Sequence, residues 1–208
     1  MKPKLLIATR NPGKQREIRA LLTDIPYQIV FPDEHGLWEQ PEEAAIEDAG
    51  SFEGNARKKA EYFAKLSRLP TVAEDSGIEV LALGGEPGVH SRRFALPTDD
   101  ASEQDEANNQ ELLRRLAGAP EARRHARYRC FAVFLERHDA VPRSFDGQCT
   151  GRILERPAGS GGFGYDPLFF SDELGKSFGE ATPEEKARVS HRAHTFKALA
   201  AWLRGASG

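Results

Sequence analysis

Sulfur is scarce in this sequence, with two cysteines, Cys130 and Cys149, among 208 residues. Their separation excludes a C-x-x-C redox or zinc pair, and both lie in strand-like sequence, which reads as reduced structural thiols. Long apolar runs are missing too. No stretch approaches the roughly 18 residues that a membrane span requires, and Met1-Lys2-Pro3-Lys4 leads into a short strand without a signal-type apolar core or cleavage site. The expectation is a cytoplasmic protein with no membrane contact. Neither sign of charge dominates: 29 basic residues against 32 acidic ones leave a net charge of -3. That balance argues against bulk binding to nucleic acid but leaves room for a local basic pocket that takes a small anion. Internal repeats are absent, as are a Walker A loop (G-x-x-x-x-G-K-[ST]) and a Nudix array (G-x5-E-x7-R-E).

What remains is an ordinary globular composition. At 39% hydrophobic and 29% charged, the 208 residues suit one compact domain, 1–208, with a sizeable core. Lys4-Leu5-Leu6-Ile7-Ala8 reads as a buried strand, and the QREIRALL that follows repeats Ile18, Leu21 and Leu22 at helical spacing. Asn11 is placed to cap that helix and Pro12 to open it. Residues 33–51 are acidic and irregular, a candidate mobile loop. A helix is expected over FEGNARKKAEYFAKLSR, with Phe52, Ala56, Ala60, Phe63 and Leu66 as its apolar stripe and Pro70 as its stop. Thr71-Val72-Ala73 begins a strand that Glu74-Asp75-Ser76-Gly77 interrupts and Ile78-Glu79-Val80-Leu81 resumes. Residues 101–117 read as a helix, 127–137 and 144–154 as sheet strands, and Thr182-Pro183-Glu184-Glu185 as a capping box opening a final helix to about Leu203. Interleaved strands and helices point to an α/β fold with a central sheet.

Four stretches carry chemistry. In TRNPGK, helix-start amides, Lys14 and the side chains of Thr9 and Asn11 make a donor-rich anion site at a strand end. An ordinary helix cap with a solvated lysine fits the same spacing, and both readings stand. In EDSG two adjacent carboxylates enter an otherwise apolar strand, where consecutive residues point to opposite faces. One of them suits a hard cation such as Mg²⁺, which takes oxygen ligands from one or two carboxylates and from phosphates. A polar, capped strand end is the plainer alternative. Lys186, His191, Arg192 and His194 cluster in the last helix, where Lys186 and His191 would sit about 140° apart if the helix is continuous. The two histidines alone do not make a zinc site. Finally, Gly159, Gly161 and Gly164 spell G-x-G-x-x-G, but Pro157 before them and Asp166-Pro167-Leu168-Phe169-Phe170 after them replace the strand and helix that a dinucleotide loop needs.

Five blocks in order, LLIATRNPGKQREI, SFEGNARKKA, AEDSGIEVLALGGEPGVHSRRFA, PAGSGGFGYDPLFF and EEKARVSHRAHTFKAL, resemble the inosine/xanthosine triphosphate pyrophosphatases from end to end. The resemblance implies an elongated, single-domain α/β fold, a mixed sheet flanked by helices, with two lobes and a central active-site cleft. It implies a Mg²⁺-dependent homodimer that hydrolyses noncanonical purine nucleoside triphosphates (ITP, dITP, XTP) to the monophosphate and pyrophosphate, cleansing the nucleotide pool. By the same resemblance Thr9, Arg10, Asn11, Pro12, Gly13 and Lys14 would hold the triphosphate. Asp75 would be catalytic base and Mg²⁺ ligand, and Ser76 a substrate contact. Phe163, Gly164, Tyr165 and Asp166 would shape the purine pocket, with Lys186, His191 and Arg192 closing on substrate. Glu47 is the second Mg²⁺ ligand of choice, with Asp48 and Glu43 as alternatives. The chain departs from the family pattern at Gly54, where a glutamate is usual, and at His90, where a tyrosine is usual; Arg93 rather than Arg92 matches the family arginine. A module that binds nucleotide or nucleic acid and senses rather than hydrolyses is the rival reading, and it has no need of a carboxylate beside the phosphates.

Overall fold

A computed structural model describes residues 2–98 and 100–205; Met1 lies outside them. Its strands are β1 (Lys4–Ile7), β2 (Gln28–Val30), β3 (Thr71–Val80), β4 (His125–Leu135), β5 (Arg143–Ile153), β6 (Phe169–Ser171) and β7 (Lys176–Ser177). Its helices are α1 (Pro12–Leu21), α2 (Phe52–Ser67), α3 (Ala101–Arg115), α4 (Pro183–Val189) and α5 (His191–Gly205). The strands form one mixed sheet in the order β2-β1-β3-β4-β5-β6-β7. β1 runs parallel to β2 and β3, whereas β6 is antiparallel to β5 and β7. The chain divides into two compact units, Met1–Asp75 with Cys130–Gly147 and Arg192–Gly208, and Ser76–Arg129 with Gln148–His191.

In the first unit, helices bury both faces of the sheet, as parallel strands require. Leu5, Ile7 and Val72 pack with Ile18 of α1 and with Phe196 and Leu199 of α5, whereas Leu6, Ala8 and Ala73 pack with Ala56, Ala60 and Phe63 of α2. Strand alternation then carries the same parity one step along β3, so Glu74 belongs to the α1/α5 face and Asp75 to the α2 face. In the second unit Ile78, Val80, Leu112, Leu116, Leu168, Phe169 and Phe178 build a separate core. Buried aliphatic and aromatic side chains of this size each contribute about 1.5–3 kcal/mol.

Local signals explain most boundaries. The Asn11 side chain accepts the Lys14 amide at 3.0 Å, and Pro12 follows as the first helical residue. Ser51 caps α2, which ends at Arg68 in the left-handed conformation (φ 57), ahead of Pro70. Thr182 and Glu185 form the expected capping box.

Three expectations are corrected. β3 runs unbroken through Glu74-Asp75-Ser76-Gly77, because both carboxylates find buried partners and do not need to end the strand. The last helix is two helices: Ser190 takes an extended conformation (ψ 154) and closes α4, so Lys186 and His191 do not share a continuous helix. Leu66, placed in the α2 stripe, is 46% exposed. Within the irregular, acidic 33–51 segment, short 3₁₀ turns form at Asp33–His35 and Pro41–Ala45. The short β2 and β7, too brief to show a periodicity, escaped sequence reading.

Candidate active site

In the first unit the site grows from the turn between β1 and α1. Asn11 and Thr9 fold that turn: the Asn11 amide donates to Thr9 Oγ1 at 3.3 Å and Gln15 Nε2 to the Thr9 carbonyl at 3.0 Å. The amides at the start of α1 are thereby presented with the positive end of the helix dipole, a ready anion site. Pro12 opens the helix and Gly13 is buried in its first turn.

Lys14 is not a solvated lysine. Its ammonium lies 2.8 Å from Glu74 Oε1, whose side chain is fully buried. Arg192 approaches the same oxygen at 3.4 Å and reaches Glu17 at 2.5 Å, while the Cys130 thiol lies 3.5 Å from Glu74 Oε2. Burial pushes the Glu74 carboxyl up, but Lys14 and Arg192 reverse this and hold it well below the usual carboxylate range. Glu74 is therefore a hub, charged at neutral pH, that organises Lys14 and Arg192.

Asp75, one residue on, looks to the other face. Asn55 of α2 donates to its Oδ2 at 2.9 Å. Its carboxyl is raised, first by burial; Lys14 and Lys59 pull it down and the Glu47 charge adds to the rise. Lys59 ties the cluster together, donating to the Glu74 carbonyl at 3.1 Å and pairing with Glu47. Burial lowers the Lys59 ammonium, but Glu47 and Asp75 more than offset it, so it stays charged. Of the other carboxylates considered for metal, Asp48 pairs with Lys58 at the surface, and Glu43 is clasped by Arg10. Sequence reading gave Asn55 and Lys59 no role. Their i, i+4 spacing on α2 put them on one helix face and was the available signal.

Arg10 turns away from the helix start. Its guanidinium donates to both Glu43 oxygens at 2.8 Å, to the Leu37 carbonyl at 2.9 Å and to Asp33.

In the second unit the glycine-rich loop closes around Asp166. Asp166 Oδ2 accepts the Phe163 amide at 2.9 Å and lies 2.5 Å from the Lys186 ammonium. Gly162 makes this possible: at φ +76, a Cβ there would meet Asp166 Oδ2 at 2.0 Å. Gly162 lies outside the G-x-G-x-x-G pattern, whereas Gly159 within it is constrained by the main chain, since at φ +73 a Cβ there would meet the Gly179 carbonyl oxygen at 2.2 Å. Gly164 is gripped from α3, its amide donating to Asp105 at 2.7 Å and its carbonyl accepting from Asn109 at 3.0 Å. The Tyr165 hydroxyl donates to the Ser91 carbonyl at 2.8 Å. The Phe163 ring stays half-buried, with Lys186 Nζ 4.9 Å from its centroid. His191 stacks on Tyr128 with centroids 4.5 Å apart, and its Nδ1 lies 4.0 Å from Cys149 Sγ. Burial pushes that thiol up to about 12, which keeps it protonated. Ser76, half-buried, is the first residue of this unit.

Among the described residues no three His, Cys, Asp or Glu side chains converge as a metal site, and no helix is long and apolar enough to cross a membrane.

Residues 5–202 match the model of the Ham1 family. A dITP/XTP pyrophosphatase of Yersinia pseudotuberculosis is 43% identical, over 98% of this chain and 99% of that protein. Another from Methylococcus capsulatus is 44% identical, with both chains fully covered. A solved HAM1 protein from Coxiella burnetii superposes with a TM-score of 0.83 at 31% identity, covering 97% of this chain and 98% of its own.

Proposed function

The chain belongs to the Ham1 family, and on that premise we propose that it hydrolyses ITP, dITP and XTP to the nucleoside monophosphate and pyrophosphate. The observation that carries this reading is the cluster of Asp75, Glu47, Lys59 and Asn55, built beside Lys14 and the start of α1. A simple nucleotide binder has no use for a buried carboxylate raised towards the working range of a general base.

Mg²⁺ is the ion we assign. Two carboxylates of unlike surroundings, Asp75 and Glu47, fit a cation that takes one or two protein oxygens and completes its shell with phosphate and water. Bound there, it would neutralise charge developing on the phosphates. Thr9, Asn11, Pro12, Gly13 and Lys14 then hold the triphosphate with helix-start amides and an ammonium. Asp75 orients or deprotonates the water that attacks the α-phosphorus, and the bond to the bridging oxygen of pyrophosphate breaks. Lys59 stands ready to follow phosphate charge from within the same cluster.

For the base, we assign Phe163 to stacking, with Gly164, Tyr165, Asp166 and Lys186 fixing its loop, and Ser76 to a nearby substrate contact. His191 donates to the 6-oxo group. A 6-amino group would set donor against donor and leave a buried group unsatisfied, at about 1–3 kcal/mol. Arg192 reaches the reaction through Glu74, which it holds charged. We extend the family resemblance to a homodimer acting in the cytoplasm as a single domain, without membrane or nucleic-acid contact.

Incubation with Mg²⁺ and ITP, dITP, XTP, ATP or GTP, followed by identification of the phosphate product, tests the reading. Pyrophosphate from the first three is expected; orthophosphate, or equal turnover of ATP, overturns it.

A further inference from the structure

We infer that Arg10 is a positioning residue rather than a triphosphate ligand: it straps the acidic segment that carries Glu47 to the anion-binding turn. The inference rests on the assignment of Glu47 to the metal.

The guanidinium is a rigid fork with five donors, suited to bidentate carboxylates. Here Nε and Nη2 take the two oxygens of Glu43, each at 2.8 Å, Nη2 also takes the Leu37 carbonyl at 2.9 Å, and Nη1 takes Asp33. One side chain thus fastens three points of a segment that is otherwise mostly exposed. Little apolar burial holds that segment, and ordering each of its residues costs roughly 1–2 kcal/mol, so polar anchors must supply the restraint. Arg10 and Glu43 are suited to it, being only 17% and 11% exposed, which removes much of the screening that makes surface pairs weak.

The far end of the segment is tied to α2 instead. Glu47 pairs with Lys59, Asp48 with Lys58, and the Ala49 amide donates to Asn55 at 2.9 Å. Glu47 therefore sits where two sets of anchors meet, one from the turn that receives phosphate and one from the helix that faces Asp75. Arg10 couples the phosphate turn to the metal carboxylate without touching either ligand.

Arg10→Gln removes the charge and Arg10→Lys keeps it while losing the fork. Amide hydrogen exchange over residues 33–47, with no ligand present, should quicken about tenfold in Arg10→Gln and less in Arg10→Lys. Mn²⁺ alone, titrated against the protein and followed by electron paramagnetic resonance, should bind several-fold more weakly to Arg10→Gln. With dITP at saturating metal, KM should stay within about twofold of wild type while kcat falls. Unchanged exchange overturns the strap, as does a raised KM with unchanged Mn²⁺ affinity, which places the guanidinium on the phosphates. If the wild-type protein leaves dITP intact, the hydrolase reading fails, and exchange with Mn²⁺ binding still decides the strap.

Discussion

In the first unit Glu74 is shared by Lys14 and Arg192, Arg192 by Glu74 and Glu17, and Lys59 by Glu47 and the Glu74 carbonyl. In the second, the loop around Phe163 is fixed mainly through its main chain, by Asp105 and Asn109 on Gly164, by Asp166 on the Phe163 amide and by the Tyr165 hydroxyl on Ser91. The first arrangement suits a ligand part that is highly charged, because preorganised charges need no rearrangement when phosphates arrive. The second suits a flat ring, because clamped peptides fix the shape of a stacking surface.

The largest test of this contrast falls on Asp75. Asp75→Asn should lower kcat by roughly 100-fold or more, the range expected for a lost general base. Thermal unfolding should show no loss of stability, since burial already opposes the charged carboxylate. Activity retained at the wild-type level would move the chemistry to another carboxylate.

Breaking the buried pairs comes next. Arg192→Met strips one cation from both Glu74 and Glu17, and a loss of about 3–5 kcal/mol is expected in chemical denaturation. Lys186→Met strips the cation from Asp166 and should cost less. The reverse order would remove the distinction between a charge hub and a clamped loop.

A smaller effect separates the adjacent carboxylates by acid. Glu74 is held below its ordinary value, so it stabilises the fold above about pH 4.5 and that contribution is lost as pH falls further. Asp75 is raised, so its protonation on acidification favours the folded state and partly offsets the loss. Denaturation midpoints measured from neutral pH to below pH 4.5 should fall more steeply in Asp75→Asn than in wild type. An identical slope would show that the two side chains do not differ in this way.

Much of this architecture was legible because its causes are local. Asn11 and Pro12 announce α1, Thr182 to Glu185 announce α4, and the parity of Leu5, Leu6, Ile7 and Ala8 places β1 between two helical layers. The break at Ser190 was hidden because nothing in VSHR forbids a helix, although serine favours the extended cap conformation it takes there. The unbroken β3 was hidden for a related reason, since the partners that neutralise Glu74 lie at Lys14 and Arg192, far away in sequence. The partners of Arg10 were hidden likewise, since Glu43 and Leu37, which hold its guanidinium, lie some thirty residues on. The glycine stretch hid its reasons in the same manner: a side chain at Gly162 would meet the Asp166 carboxylate and one at Gly159 the Gly179 main chain, neither of which the spacing announces.

The division between charge hub and stacking loop is tested most directly in one variant. Phe163→Ala should weaken binding of inosine monophosphate about tenfold or more, as loss of a base stack worth about 1–3 kcal/mol implies, while Mg²⁺-pyrophosphate binds within twofold of wild type. Equal losses for both ligands would contradict the account.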